Sequence, residues 1–268
     1  MDGTRNQGGR AVDQPREPLP TRVHETQPLP PAYHDALAAG LAALGLSLTP
    51  VARMAIEIHA RLLLAWTSAI NLTAIRDPAA VALGHVVDSL SAVPVLRERG
   101  VDRFLDIGSG GGYPGLPLAA ALPAQRALLL EPVGKKTAFL ATAVAAAGLE
   151  VCVEAAPVRA EALAADARHR GRWPAVVARA VGGLGELVEL AFPLLEPGGC
   201  LVAWKRGDIG AEILAAERAM AAMGGGRLEV HPVAVPGLER HCLVIATATG
   251  RVPAAYPRDP AARKRRPW

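Results

Sequence analysis

Phe104-Leu105-Asp106-Ile107-Gly108-Ser109-Gly110-Gly111-Gly112-Tyr113-Pro114-Gly115-Leu116-Pro117 is a short apolar run ending in a carboxylate, then a glycine cluster, then prolines. The apolar run reads as a strand and the glycines as a tight loop that tolerates positive φ. The prolines suit the first turn of a helix. Strand, loop and helix N-terminus in that order leave bare backbone N–H groups open to a ligand, and the positive end of the helix favours negative or strongly polar groups there.

Downstream of this stretch, short apolar runs alternate with helical patterns. Strands are predicted at Ala127 to Leu130, Val151 to Glu154, Ala175 to Ala178 and Cys200 to Lys205, with the last two around Leu228 to Pro232 and Cys242 to Thr247. Helices are predicted from Lys135 to Ala147, around Ala160 to Ala164, from about Leu184 to Leu195 and from Ala211 to Met223, with Pro197-Gly198-Gly199 turning into the fifth strand. The alternation predicts an α/β fold with a mainly parallel, doubly wound seven-stranded sheet. The final two strands have no long helix between them and are expected to pair antiparallel at one edge.

Upstream, Tyr33 to Leu44 has helical spacing and Gly45 ends it. Thr49-Pro50 is a cap and first-turn pair, after which Val51, Met54, Ile58, Leu62 and Ala65 mark the apolar face of a helix running to about Trp66. A third helix follows Asp77-Pro78 and carries Val81, His85, Asp88 and Ser89. The expected organisation is a disordered arm at 1–31, a helical cap at 32–98, the sheet domain at 99–250 and a basic tail at 251–268.

The 268 residues are 51% apolar, which allows a sizeable core, and their formal net charge is +4. That balance suits a polyanionic partner and equally an ordinary protein rich in arginine. The tail residues Arg251, Arg258, Arg263, Lys264, Arg265 and Arg266 are either a solvated end or phosphate contacts. Cys152, Cys200 and Cys242 are isolated, in stretches that read as strands, and are expected to be buried thiols. They suggest neither a metal site nor a disulfide framework. The N-terminus lacks a signal-peptide core and no charge-free run is long enough to span a bilayer, so a cytoplasmic location without membrane contact is expected.

The glycines satisfy both Gly-x-Gly-x-Gly and Gly-x-Gly-x-x-Gly, so spacing alone fits a dinucleotide or S-adenosylmethionine. Glu131, at the end of the second strand, can accept hydrogen bonds from ribose hydroxyls in either case. Asp106 separates them: a carboxylate there would repel a pyrophosphate but suits an amino group and a sulfonium, although it can also cap the loop. After the fourth strand stands Ala178-Arg179-Ala180-Val181, with no Asn-Pro-Pro or Asp-Pro-Pro segment to hold an amine and no loop cysteine to attack a base. A ring nitrogen such as guanine N7 needs neither, because it already presents a lone pair. A small-molecule acceptor is the alternative, and a non-catalytic RNA- or nucleotide-binding module is a third.

Together these motifs resemble the bacterial small-subunit rRNA guanine-N7 methyltransferases of type G, also called glucose-inhibited division protein B. The matching stretches are Asn71 to Arg76, His85 to Leu90, Asp106 to Leu118, Leu130-Glu131-Pro132 with Gly134-Lys135-Lys136, Arg159-Ala160-Glu161, Ala178 to Val181, Pro193 through Trp204-Lys205, and Arg240-His241 to Tyr256-Pro257-Arg258. The resemblance implies a Rossmann-like class I fold, S-adenosyl-L-methionine as methyl donor, and 16S rRNA or a small-subunit assembly intermediate as partner; no metal is expected from the isolated cysteines, and a monomeric chain is expected. Donor contacts carried over by position are Gly108, Tyr113, Ala160 with Glu161 near the adenine, and Arg179; Gly110, Gly112, Asp106 and Glu131 join them from the reading of the loop. His85, Asp88, Lys135, Lys205 and Arg240 are the candidates for guanine positioning, and Lys136, Arg206 and His241 for other contacts to RNA. The chain departs from the family pattern at Lys205-Arg206-Gly207, where Lys-Gly is frequent, and at Thr247, where lysine is frequent.

Overall fold

The strand pattern around the glycine loop is realised in a computed structural model that describes residues 18–122 and 126–268. The strands are β1 (Arg103–Ile107), β2 (Arg126–Leu130), β3 (Val153–Ala156), β4 (Trp173–Arg179), β5 (Leu195–Arg206), β6 (Gly226–Pro232) and β7 (His241–Ala248). They form one sheet in the order β3-β2-β1-β4-β5-β7-β6, parallel from β3 through β5. β7 runs antiparallel to both β5 and β6, so the expected antiparallel pair does lie at the edge. Because β1, β2, β4 and β5 are parallel, their C-terminal ends share one rim, where open sheets of this kind build their sites.

Eleven α-helices are described: α1 (Pro31–Ala43), α2 (Pro50–Thr67), α3 (Pro78–Val81), α4 (Asp88–Leu90), α5 (Val93–Glu98), α6 (Gly115–Ala121), α7 (Gly134–Ala146), α8 (Ala160–Ala165), α9 (Leu184–Ala191), α10 (Gly210–Ala222) and α11 (Pro260–Arg265). A π-helical stretch, Ala82–Val87, joins α3 to α4. Alternate strand residues face opposite ways. Phe104, Leu129, Val177 and Val202 therefore pack with α1 to α7, while Leu105, Leu128, Val176 and Leu201 pack with α8 to α10. The helices before β1 share a continuous core with the first of these faces. The segment Pro78–Glu98 is 21 residues long with hydropathy 1.6, and Val81, Val86, Val87 and Leu90 in it are buried within that core.

Four expectations change. The buried face of α2 is Ala52, Ala55, Ile56, His59, Leu62, Leu63 and Trp66, whereas Val51 and Met54 are 79% and 59% exposed. The face is turned by one residue, about 100°. Burial of a large apolar side chain is worth about 1.5–3 kcal/mol, so Ile56, Leu63 and Trp66 outweigh Val51 and Met54 even though a histidine comes with them.

The expected arm is partly structure: residues 1–17 lie outside the described residues, but those that follow dock on α2. Trp66 Nε1 donates to Pro20 O at 2.7 Å, and Arg61 Nη2 donates to Val23 O and Thr26 O at 2.9 and 2.8 Å. The bonds to Pro20 O and Thr26 O satisfy carbonyls outside any helix or strand, while Val23 O already accepts from Thr26 N at 3.0 Å in a single 3-10 turn.

α9 ends at Ala191 and β5 begins at Leu195, which pairs with Trp173 before the register shifts to Ala175 with Cys200. Pro197-Gly198-Gly199 is thus an irregularity inside the ladder. Likewise β3 begins at Val153; Cys152 lies half-buried in the turn before it, its N–H given to Leu149 O at 3.0 Å.

The tail is a brace. Arg258 donates from Nη2 and Nε to the Glu189 carboxylate at 2.6 and 2.9 Å, and Trp268 Nε1 donates to the same carboxylate at 2.6 Å. Arg263 pairs with Glu161 and is itself buried. Lys264, Arg265 and Arg266 remain exposed.

Candidate donor and acceptor cavity

At the C-terminal rim of the sheet opens a cavity of about 630 Å³. Its walls come from the glycine loop after β1, Glu131 after β2, Arg179 and Ala180 after β4, Trp204, Lys205 and Arg206 at the end of β5, His241 at the start of β7, and Leu72, Thr73, Gly84, His85 and Asp88 from the helical side.

The loop is held from below. Gly108 N and Ser109 N both donate to Leu130 O, at 2.9 and 3.0 Å, which fixes the loop to the neighbouring strand. Gly108 has φ +71, and a Cβ on it would stand 2.7 Å from Val181 Cγ2. Gly110 has φ +54, and a Cβ on it would make only an ordinary contact, 3.8 Å from Gly108 O, beside the Glu131 carboxylate that accepts its N–H at 3.0 Å. Glu131 also accepts from Val133 N at 2.9 Å. Gly112 is behind the wall: a Cβ there would meet Leu116 and His59. Ala180, a non-glycine residue at φ 58, lines the cavity. Such a conformation costs about 1–3 kcal/mol and persists where surrounding structure dictates it.

Asp106 does not face the cavity. It is fully buried, and Oδ2 accepts from Gly115 N at 3.0 Å, tying the start of α6 to β1. Burial pushes its pKa up to about 7. This corrects the expectation of an ionised carboxylate presented to a ligand's cationic groups: the residue is the loop cap. In the unfolded chain it ionises near 3.8. The folded state therefore binds the extra proton between those values, and the stability that goes with the neutral form is lost as pH rises toward and through about 7. Asp106→Asn, which keeps an acceptor for Gly115 N, is expected to match the native chain near pH 4 and exceed it near pH 8 in urea unfolding midpoint. Parallel midpoints at both pH values would contradict this.

Around the opening, hydrogen bonds settle the protonation states. Arg179 Nη1 donates to Asp88 Oδ2 at 3.0 Å and to Gly84 O at 3.0 Å, and its Nη2 donates to His85 Nδ1 at 3.0 Å. Guanidinium can only donate, so His85 Nδ1 accepts and its proton is on Nε2, 2.7 Å from Thr73 Oγ1. Burial, then the Arg179 charge, brings the His85 pKa down to about 4, which keeps the ring neutral. Asp88 Oδ1 accepts from His241 Nδ1 at 2.9 Å, and Trp204 Nε1 donates to the Asp88 carbonyl at 2.7 Å. One buried residue, Asp88, thus ties the start of α4 to β4 and β7 through its carboxylate and to β5 through its main-chain carbonyl. His85 and Asp88 do not bond to each other through their side chains; each is held by Arg179.

The Tyr113 ring is stacked between two histidines, 4.4 Å from His59 and 4.8 Å from His85 between centroids, with the Arg179 guanidinium carbon 5.4 Å from its own centroid. His59 Nε2 donates to Gly111 O at 2.7 Å, and burial lowers its pKa to about 4. It therefore braces the glycine loop as a neutral ring. His59 escaped sequence reading because it sits on the face of α2 that alanines make look weak; its place between Ile56 and Leu63 was the available signal.

The family model for rRNA small subunit methyltransferase G matches residues 53–243. The curated rRNA small subunit methyltransferase G of Roseiflexus castenholzii is 40% identical over 203 residues, 76% of this chain and 86% of that protein. The corresponding protein of Dehalococcoides mccartyi strain CBDB1 is 40% identical over 223 residues, 83% of this chain and 94% of its own length. The chain belongs to the rRNA small subunit methyltransferase G family. The fold is also that of a Bacillus cereus O-methyltransferase solved with S-adenosylhomocysteine, with TM-score 0.52 at 14% identity over 77% of this chain and 94% of that one.

In this member of the rRNA small subunit methyltransferase G family, the cavity gathers His85, Asp88, Gly108, Gly110, Tyr113, Glu131, Arg179 and Lys205 from the sequence candidates. It does not gather Asp106, Gly112, Lys135, Ala160, Glu161 or Arg240. Lys135 points away and its neighbour Lys136 takes the wall, because the first turn of α7 presents only one of two successive residues inward. One oxygen of the Glu161 carboxylate accepts from Arg263, and neither Ala160 nor Glu161 lines the cavity. Arg240 uses its carbonyl to accept from Gly207 N at 2.8 Å, while the next residue, His241, faces in. Lys205 is spoken for, with Nζ 2.6 Å from Glu212 Oε2 and 2.7 Å from Gly182 O.

Proposed function

We propose that this chain transfers the methyl group of S-adenosyl-L-methionine to N7 of a guanine in 16S rRNA, presented by a small ribosomal subunit or its assembly intermediate. The observation that carries this reading is the cavity itself. One half is a glycine loop with open backbone at Gly110 and a buried acid, Glu131, at the end of β2; the other is a wall of aromatic and cationic groups. The fit to the donor rests on Gly110, where any side chain would occupy cavity space, and on Glu131, whose carboxylate accepts rather than donates. Gly108, Gly110 and Tyr113 shape the donor side, Glu131 takes ribose hydroxyls, and Arg179 with His85 and Asp88 holds the wall between donor and acceptor.

S-adenosylmethionine supplies the methyl group on a sulfonium, an electrophile that needs only an aligned lone pair. Guanine N7 has one and carries no proton, so positioning does most of the chemistry. The side chains fit that economy. His85 is neutral with its Nδ1 lone pair committed to Arg179, and Asp88 is engaged on both oxygens, so neither is free as a general base. Trp204 gives the acceptor side an apolar surface for a base withdrawn from its stack. The reading takes a single chain as the acting unit and, because its substrate is ribosomal RNA, a cytoplasmic location. Incubation with labelled donor and either small-subunit particles or free nucleosides is expected to label 16S rRNA; label on a small molecule alone would overturn the reading.

A further inference from the structure

Four long cationic side chains line the cavity: Lys136, Arg179, Lys205 and Arg206. Two are neutralised within the protein. Arg179 is held by Asp88 and Lys205 by Glu212, at 3.0 and 2.6 Å. Drawing Arg179 away would leave Asp88, which is 2% exposed, as an uncompensated buried charge, so it is not available to a ligand at low cost. Lys136 and Arg206 have no side-chain hydrogen bond or ion pair among the described residues. Their positions are opposed. Lys136 follows β2 and Arg206 ends β5, with β1 and β4 between, so the two strand axes are roughly 14 Å apart at about 4.8 Å per step.

We propose that Lys136 and Arg206 form a two-point clamp for the backbone phosphates on either side of the guanine that enters the cavity. The proposal rests on the rRNA reading above. A base extruded into a pocket leaves its own backbone at the rim, and the rim carries its two unpaired charges on opposite sides. The planar fork of Arg206 suits a phosphate's paired oxygens better than an ammonium does. The two paired cations organise the protein; the two free ones meet the RNA.

Salt-dependent binding separates this clamp from general basicity. In a salt series, binding of the full chain to small-subunit rRNA is expected to lose about 0.7 from the slope of log K against log salt for Lys136→Gln, the same for Arg206→Gln, and about 1.4 for the double variant. The urea unfolding midpoint of each variant is expected to stay at the native value, which reports that the variants are folded. Arg251→Gln is the reference: this exposed residue follows the C-terminal end of β7, which runs against the parallel strands, so it stands at the edge of the sheet away from the cavity. Its slope is expected to be native. An unchanged slope in either cavity variant, or an equal loss in Arg251→Gln, would overturn the clamp. Native transfer to 16S rRNA alongside such a result would leave the functional reading standing, whereas no transfer by the native chain would remove that reading first.

Discussion

Arg258→Ala is expected to lower the unfolding free energy by about 3–5 kcal/mol, the range for removing one partner of a buried ion pair. Glu189 is 0% exposed on α9, and Arg258 supplies three of its side-chain hydrogen bonds plus one from its own backbone N–H at 2.7 Å. Truncation would leave the carboxylate with only the main-chain N–H of residue 258 and the Trp268 indole as donors and no compensating charge, and would also remove the guanidinium that lies 4.5 Å from the Trp268 ring centroid. A typical domain has only about 5–15 kcal/mol in total, so the effect is a large part of the whole. The exposed pair Arg265→Ala with Arg266→Ala is expected to stay within about 0.5 kcal/mol. Urea midpoints decide: equal midpoints for Arg258→Ala and the Arg265→Ala, Arg266→Ala double variant would mean that the tail is not docked as described.

Gly110→Val is expected to reduce donor affinity on the order of 100-fold, about 2.8 kcal/mol at 1.4 kcal/mol per tenfold. Two effects separate at this position. Positive φ costs a non-glycine residue about 1–2 kcal/mol of folding free energy, but the new Cβ would make only an ordinary contact, so no core contact is broken. The loss in binding should therefore exceed the loss in stability. Gly108→Val behaves differently, because its side chain would run into Val181 as well as fill the loop. It should lose both together. Calorimetric titration of Gly110→Val with donor at native affinity would show that the glycine loop is not where the donor sits.

The fold was legible because its signals are local and repeat. Period-two and period-3.6 patterns placed the strands β2 to β7 and the helices α7 to α10, with β5 starting earlier than expected and α11 not foreseen in the tail, and the capping pairs Thr49-Pro50 and Asp77-Pro78 placed two helix starts, with Thr49 and Asp77 each accepting a main-chain N–H. What could not be read depends on distant partners. Nothing in the sequence near Leu195 shows that it pairs with Trp173, and nothing near Arg258 or Arg263 shows that Glu189 and Glu161 wait for them. The same reason explains the basic tail, read as phosphate contacts or solvated charge, whose two most committed arginines are structural.

The candidate site divides along the same line. Gly108, Gly110 and Glu131 were legible because backbone chemistry and strand position define them. Asp106 was legible as a residue but not in its role: a carboxylate beside glycines can face a ligand or cap a loop, and only its burial against Gly115 N separates the two. The choice of Lys136 over Lys135, and of His241 over Arg240, is a matter of which of two adjacent side chains turns inward. His59 and the stack it makes with Tyr113 bring together residues 54 positions apart, which no local pattern reports.

The most direct measurement is the chemical identity of the methylated product. The full chain would be incubated with isotopically labelled S-adenosylmethionine and small-subunit particles, the 16S rRNA digested to nucleosides, and the label assigned by mass spectrometry. Label confined to 7-methylguanosine is the expected result. Label on another nucleoside, on an exocyclic amine or ribose, or none in rRNA at all, would contradict a cavity that relies on positioning a lone pair and offers no free base.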